Sequence, residues 1–420
     1  MTPLLTKFII SGILLIKIYF KMGTLMTDMR VYADYNATTP LKEEVKASMI
    51  GDLDIYGNAS SMHASGRLAR ARVEEARAAI GMLLGAAPED IIFTSGGSES
   101  NNTVFETMRH LASGAGGGPK KEGRNEIITT AIEHPCVLNS GEYAKDLGFR
   151  VIFLPVDGYG KVKMDALKEA LSEKTLFVSA MMANNEIGTI QNIREIARMA
   201  REAGAYMHSD AVQAVGKIPV NVIDLGVDYL TVSSHKIYGP KGIGALYVRK
   251  GAPLSPLIHG GHQEDGFRAG TYNNMGILGF GKAASLALAD LDEYQRRTSA
   301  LRLKLKEGLL ARIPKIKING HPTDVLPNTL NVSFPGAEGE AILLSMDMAG
   351  IEASTGSACA SGSLEPSHVL MATGIGPELA HGSIRFSLGW SSTGEEVDYI
   401  IETLPPIIER LRAMSSLGST

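Results

Sequence analysis

From residue 88 onward, short apolar runs rich in β-branched and aromatic residues alternate with longer amphipathic stretches. The runs predict strands at Asp90–Thr94, Glu126–Ala131, Arg150–Val156, Thr175–Ala180, Ala205–His208, Tyr229–Ser233 and Ala245–Arg249. Most are nearly continuously apolar, the pattern of strands buried on both faces of a mainly parallel sheet. Between them lie helical patterns such as Ile193–Ala203, so about 160 residues form one doubly wound unit. Ser65–Leu84 predicts a helix with Val73, Ala76, Ile80, Leu83 and Leu84 on one face. Gly276–Leu310 predicts a long helical stretch, rich in Ala and Leu, leading to a second, smaller unit. That unit has strand candidates at Lys315–Asn319, Asn328–Phe334 and Ser383–Leu388, and helices at Gly339–Ala349 and Gly394–Met414. In the last helix Val397, Ile400, Ile401, Leu404, Ile408 and Leu411 form a stripe, and Pro405–Pro406 predicts a kink. The expected architecture is α/β: a mainly parallel seven-stranded sheet in a large domain (29–290), followed by a smaller α+β domain (291–420). Residues 29–44 are expected to pack with the small domain.

Composition narrows the function classes. Hydrophobic residues are 44% and charged residues 20%, which excludes wholesale disorder. A net charge of −4 argues against a protein built for electrostatic capture of nucleic acid, so no direct nucleic-acid partner is expected. Two cysteines, Cys136 and Cys359, exclude a disulfide scaffold and a Cys-rich zinc module, and no resident metal is expected. A reducing, cytoplasmic setting follows. Ser113–Lys121 is a Gly-rich surface loop.

Residues 1–28 stand apart. Phe8–Phe20 is apolar except for Ser11, Gly12 and Lys17, yet it falls short of the about 20 apolar residues that span a bilayer. No small-residue cleavage site follows it. An upstream start or loose extension is the favoured reading, ahead of a peripheral membrane anchor or a targeting segment.

The chemistry-bearing residues sit where strands end. Ser233–Gly244 (SSHKIYGPKGIG) follows a buried strand, which places Lys236 where open α/β sheets hold their ligands. Lysine forms Schiff bases once a site lowers its pKa. Asp210, 26 residues earlier in HSDAVQ, is costly at a buried strand end unless paired, and a protonated pyridine nitrogen is one such partner. Ser95–Asn102 (SGGSESNN) offers glycines, the Ser98 hydroxyl and a helix N-terminus, together a phosphate cradle. It lacks the GK[ST] of a nucleotide P-loop. His134 and Asn185 follow two further strands. His134 has no partner at metal-ligand spacing and instead suits stacking on a planar ring. Each feature alone has an ordinary structural reading: a surface lysine, an N-cap aspartate, a Gly-rich turn, a satisfied histidine. Five on one sheet edge make a single site the simpler account.

These motifs resemble the cysteine desulfurase family, enzymes of the class V aminotransferase group that use pyridoxal 5′-phosphate. The resemblance runs from Tyr32–Pro40 (YADYNATTP) through GNASSMHASGR, TSGGSESNN, EHPCVLN, NNEIGTIQ, HSDAVQ, SSHKIYGPKGIGALYVR and GFRAGT to STGSACASGSLEPSHVL. It implies fold type I and a homodimer with sites at the subunit boundary. It implies that Lys236 carries the cofactor, Asp210 pairs with the pyridine nitrogen and His134 stacks on the ring and shares in catalysis. It places Asn185 and Gln213 on the ring-oxygen side. Gly97, Ser98, Ser233, Ser234 and His235 would hold the phosphate with the partner subunit's Thr271. Asn36 and Arg385 would address the substrate, Arg385 gripping its carboxylate with a bidentate fork. His262 stands where the family usually has a third glycine.

Cys359 selects the reaction. It lies in STGSACASGS, a stretch with nothing to bury a thiol, whereas Cys136 suits the role of a small buried hydrophobe. The resemblance makes Cys359 the nucleophile that takes sulfur from L-cysteine, leaves L-alanine and becomes a persulfide. The loop resembles the housekeeping branch. Its persulfide sulfur goes to acceptor proteins such as an iron–sulfur scaffold or a tRNA-thiolation relay, and Cys359 could transiently ligate an iron–sulfur cluster. An aminotransferase, a selenocysteine lyase and a non-catalytic scaffold on the same fold are the alternatives. A degenerate scaffold would have lost Lys236, Asp210 or Cys359, and all three are present.

Overall fold

The computed structural model describes residues 29–113, 123–355 and 365–414. The N-terminal extension, most of the Ser113–Lys121 loop and Cys359 lie outside the described residues. In chain order the strands are β1 (Val31–Tyr32), β2 (Ile91–Thr94), β3 (Glu126–Thr130), β4 (Arg150–Leu154), β5 (Thr175–Ser179), β6 (Tyr206–Asp210), β7 (Tyr229–Ser233), β8 (Gly244–Val248), β9 (Lys317–Asn319), β10 (Thr329–Ser333), β11 (Ile351–Glu352) and β12 (Ser383–Ser387).

Seven of them form one sheet in the order β2-β8-β7-β6-β5-β3-β4. Its pairs are parallel except at β8, which runs antiparallel to both β2 and β7. The exception has a local cause. Only the turn Ser234–Lys236 and a Gly/Pro loop separate β7 from β8, with no crossover helix to return the chain. Strands β2, β3, β5 and β7 are buried along their whole length, which explains their continuous apolar runs. A second, antiparallel sheet has the order β12-β10-β9, and β1 pairs with β11 in parallel.

The apolar interior falls into separate clusters. One lies on a face of the large sheet and includes Ile80, Val178, Leu230 and Phe280. A smaller one on the large sheet joins Val104, Met108 and Phe177. A third joins Val31 and Ala33 from the start of the described chain to Leu305, Phe334, Ile384 and the helix Gly394–Met414. That helix buries Val397, Ile400, Ile401, Leu404, Ile407 and Ile408, each contributing about 1.5–3 kcal/mol of transfer free energy.

The long helical stretch is made of two helices, Asn274–Ala289 and Leu291–Arg312. Asp290 ends the first and precedes the second; apolar spacing continues across it, so the pattern hides the break. The final helix is continuous through Pro405 and Pro406. Its packed face holds it together where two backbone N–H groups are lacking. Among the described residues no helix is long and apolar enough to cross a membrane.

Candidate active site

The C-terminal ends of β2, β3, β5, β6 and β7 open on one side of the sheet, and a polar group leaves each. At the end of β6, Asp210 Oδ2 accepts from Asn101 Nδ2 at 2.7 Å and its Oδ1 from the Val212 N–H at 3.0 Å. Next to it, β7 passes into a tight turn that presents Lys236, whose Nζ donates to the main-chain oxygens of Asn36 (2.5 Å) and Ala37 (2.7 Å).

Beyond β2 the chain turns through Ser95 and Gly96 into the helix Gly97–Ser113. Two close approaches need glycine there. A Cβ on Gly244 would lie 2.7 Å from Gly96 Cα, so β8 can rest against the turn only without a side chain. A Cβ on Gly97 would lie 2.9 Å from Val212 Cγ2. After β3, His134 caps the helix Pro135–Asp146, its Nδ1 accepting from the Cys136 N–H at 3.2 Å. After β5 come Asn185 and Glu186.

A cavity of about 330 Å³ is lined by Asn36, Gly97, Ser98, His134, Asn185, Asp210, Gln213, Ser233, His235, Lys236 and Arg385. An adjoining space of about 460 Å³ shares Gly97, Ser98, Ser233 and His235 and adds Thr38, Ser95 and Lys241. Its donors are the first amides of a 17-residue helix, the hydroxyls of Thr38, Ser95, Ser98 and Ser233, and a lysine, a set suited to an anion. The one acid there, Glu99, is paired with Arg268 at 2.9 Å and accepts from the Ser95 N–H at 2.8 Å. Burial raises its pKa, but these partners outweigh burial and hold the carboxyl below its usual range. The two spaces together fit a phosphorylated planar ring: an anion cradle at one end, and at the other a carboxylate, an amine and an imidazole.

Burial pushes the His134 imidazole below its ordinary pKa. Asp210 opposes that shift, and Lys236 and His368 add to it. A neutral ring is the form that stacks on an aromatic face at least desolvation cost. Burial, then Lys236 and Lys241, depresses His235 to about 4. Glu133, wholly buried beside His134, is pushed up to about 8, and Glu186 to about 7, both chiefly by desolvation.

Some expected residues are placed differently. Ser234 does not line either cavity; the turn directs its hydroxyl inward toward Gly239, where it has no hydrogen-bond partner. Thr271, expected to act from the partner subunit, is exposed and lines neither cavity of its own chain. The Asn36 side chain, expected to meet substrate, is already engaged: its Nδ2 donates to Asn185 O and Thr329 Oγ1, and its Oδ1 accepts from Lys217 and Asn328. Cys136 is half-buried at the cavity wall rather than sealed in the core. Its Sγ lies 3.2 Å from Asn101 Nδ2 and 3.0 Å from His134 Nδ1, and burial and then Asp210 push the thiol up to about 12.

Arg385, 3% exposed, donates to Asn185 O at 3.0 Å and to Asp34 Oδ1 at 2.7 Å, and its Nε has no partner. Sequence reasoning missed Asn101, Asp34, His368 and Lys217. Asn101 lies inside SGGSESNN, on the buried face near the start of the cradle helix, where the motif already pointed; Lys217 gave no signal.

Both borders of the 356–364 segment meet this site. Before it, Ser354 and Arg385 exchange backbone hydrogen bonds. After it, Ser367 Oγ donates to Glu186 Oε2 at 2.5 Å, and His368 Nε2 bonds the Glu133 carbonyl at 2.9 Å.

The family model for class-V aminotransferases matches residues 31–400. "Cysteine desulfurase IscS" of Dictyoglomus turgidum is 50% identical over 386 residues, spanning 92% of this chain and 96% of the relative. A solved structure named "NIFS-LIKE PROTEIN" superposes with a TM-score of 0.84 at 39% identity, covering 91% of this chain and all of the other. Another, "SspA in complex with cysteine", gives 0.75 at 34% identity over 86% of this chain and 99% of that one.

Proposed function

The chain belongs to the class-V aminotransferase family and is a cysteine desulfurase; on that premise we propose that pyridoxal 5′-phosphate occupies the paired cavities and that Cys359 takes the sulfur from L-cysteine. The observation that carries this reading is the convergence of Lys236, Asp210, His134 and Arg385 on one cavity whose rim holds both borders of the Cys359 segment.

Lys236 would hold the cofactor covalently, with the helix Gly97–Ser113, Ser98, Ser233 and His235 on its phosphate and His134 against its ring. When bound, this group supplies a protonated pyridine that draws electrons from the substrate's α-carbon. Asp210 favours that protonation, its carboxylate fixed by Asn101 and the Val212 amide. Arg385 binds the substrate carboxylate and so fixes which end of the amino acid faces Lys236. Once freed by substrate, the Lys236 amine moves protons at the α-carbon as general acid and base.

The Cys359 thiolate attacks the substrate sulfur. An S–S bond forms as the substrate's C–S bond breaks, the bonding pair stays with carbon, and carbon takes up a proton and leaves as L-alanine. Cys359 retains the sulfur as a persulfide for transfer to an acceptor protein such as an iron–sulfur scaffold. Cys136 is the wrong thiol for this step, because at neutral pH a group pushed up to about 12 yields almost no thiolate. A homodimer supplying the partner subunit's Thr271 to the phosphate accords with Thr271 being exposed on its own chain.

Borohydride reduction tests the cofactor assignment. The loaded protein should lose its visible band and carry a stable adduct on the Lys236 peptide; an adduct elsewhere, or none, contradicts it.

A further inference from the structure

Lys217 lies in the turn after β6, is 2% exposed and is among the largest fully buried side chains. Its Nζ donates to Gln213 Oε1 at 2.6 Å and to Asn36 Oδ1 at 3.0 Å. Both partners are amide carbonyls rather than carboxylates. Burial first, then the charges of Lys236 and Arg385, pushes its pKa well below the lysine range. Both contacts use Nζ as the donor. A methionine would fill similar volume without desolvating a polar group, so the amine needs another reason to be there.

The reason lies in the orientation of Gln213. An amide presents oxygen at one end and nitrogen at the other, and Lys217 donates to the oxygen end of both of its amide partners. Lys217 therefore faces Gln213 Oε1, and Nε2 points the other way, where it donates to the Asn36 carbonyl at 2.9 Å on the cavity wall. The same carbonyl accepts from Lys236 Nζ. Lys217 also faces Asn36 Oδ1, which leaves Asn36 Nδ2 to donate to Asn185 O and Thr329 Oγ1. One buried amine thus sets two amides around the cavity.

We propose that Lys217 is a positioning residue that locks the donor end of the Gln213 amide toward the cavity, so that Gln213 can donate to the ring oxygen of the cofactor. This rests on the reading that pyridoxal 5′-phosphate binds beside Lys236. Without Lys217 only the Asn36 carbonyl still selects this orientation, and a flipped amide would present its oxygen, turning a donor into a repulsive acceptor.

The test is a double-mutant cycle in the full chain: wild type, K217M, Q213A and the double variant. Two quantities are read: the pH midpoint of the bound cofactor's visible absorption, and the affinity of the apo-protein for pyridoxal 5′-phosphate by fluorescence. A donor on the ring oxygen stabilises its negative charge, so loss of one hydrogen bond should raise the midpoint by about one pH unit and weaken binding about tenfold. K217M should do both, K217Q (which keeps an amide donor) should restore the midpoint in part, and K217M should add nothing in the Q213A background. K217A is read in the same way where K217M does not yield folded protein. A wild-type midpoint in the lysine variants, or equal shifts with and without Gln213, overturns the inference. Failure of the wild type to bind the cofactor would instead overturn the proposed function.

Discussion

Arg385 and Asp34 form an ion pair at 2.7 Å inside the cavity wall, with the arginine side chain 3% and the aspartate side chain 17% exposed. The pair holds one end of the guanidinium still while Nε remains without a partner. A lone buried guanidinium would be costly. Asp34 offsets that cost and leaves donors for an incoming carboxylate. Replacing Arg385 by lysine keeps the charge and loses the fork. R385K should raise KM for cysteine by about tenfold to a hundredfold, the worth of a charged hydrogen bond, with cofactor absorbance unchanged. An unchanged KM in steady-state kinetics would remove Arg385 from the substrate site.

Asp210 and Asn101 act as a unit. D210N keeps the shape and removes the charge that favours a protonated ring nitrogen. It should lower kcat by about a hundredfold or more while cofactor still binds, as measured by turnover and absorbance. N101A removes the donor to Oδ2 and should cost about tenfold, the equivalent of one hydrogen bond. If N101A fell as far as D210N, orientation rather than charge would be the larger factor.

Gly97 is constrained by Val212, which lines the same cavity. In G97A the new methyl lies within 2.9 Å of Val212 Cγ2, so the valine must move. Calorimetric titration should show weaker cofactor binding, and thermal melts a loss of about 1–3 kcal/mol, the usual cost of overpacking.

Much of this site was legible in the sequence, for a definite reason. Asp210 and Lys236 end buried strands, and a polar residue directly after a β-rich apolar run marks the sheet edge where ligands bind. Lys217 and Asp34 were not legible, because each has a partner from a distant segment: Asn36 for the one, Arg385 for the other. Burial of a lysine four residues after a glutamine leaves no local trace. The helix break at Asp290 was hidden for the opposite reason, since apolar spacing persists on both sides of it. Cys136 packs against the apolar core, yet the helix cap at His134 also brings it to the cavity wall, which its sequence context does not reveal.

Two carboxyls beside the cavity make stability depend on pH. Glu133 and Glu186 are wholly buried, with pKa values pushed up to about 8 and about 7 by desolvation. Glu133 Oε2 has no partner, so its charged form is uncompensated. A raised carboxyl pKa means that the folded state holds the proton more tightly than the unfolded chain. Its contribution is therefore complete below the unfolded pKa, near 4.5, and is lost as pH rises through about 7 to 8. Denaturant titrations should show stability falling over that window by on the order of a few kcal/mol. E133Q, which stays neutral, should flatten the slope. An unchanged slope would mean that Glu133 is ionised throughout.

The central claim is that sulfur leaves cysteine by attack of the Cys359 thiol, and peptide mass spectrometry tests it most directly. After incubation of the cofactor-loaded protein with L-cysteine, the Cys359 peptide should carry one added sulfur atom and the Cys136 peptide none. The C359A variant should keep the cofactor's absorbance and gain no sulfur anywhere. Added sulfur on Cys136, or turnover to alanine and sulfide that survives in C359A, would contradict the account.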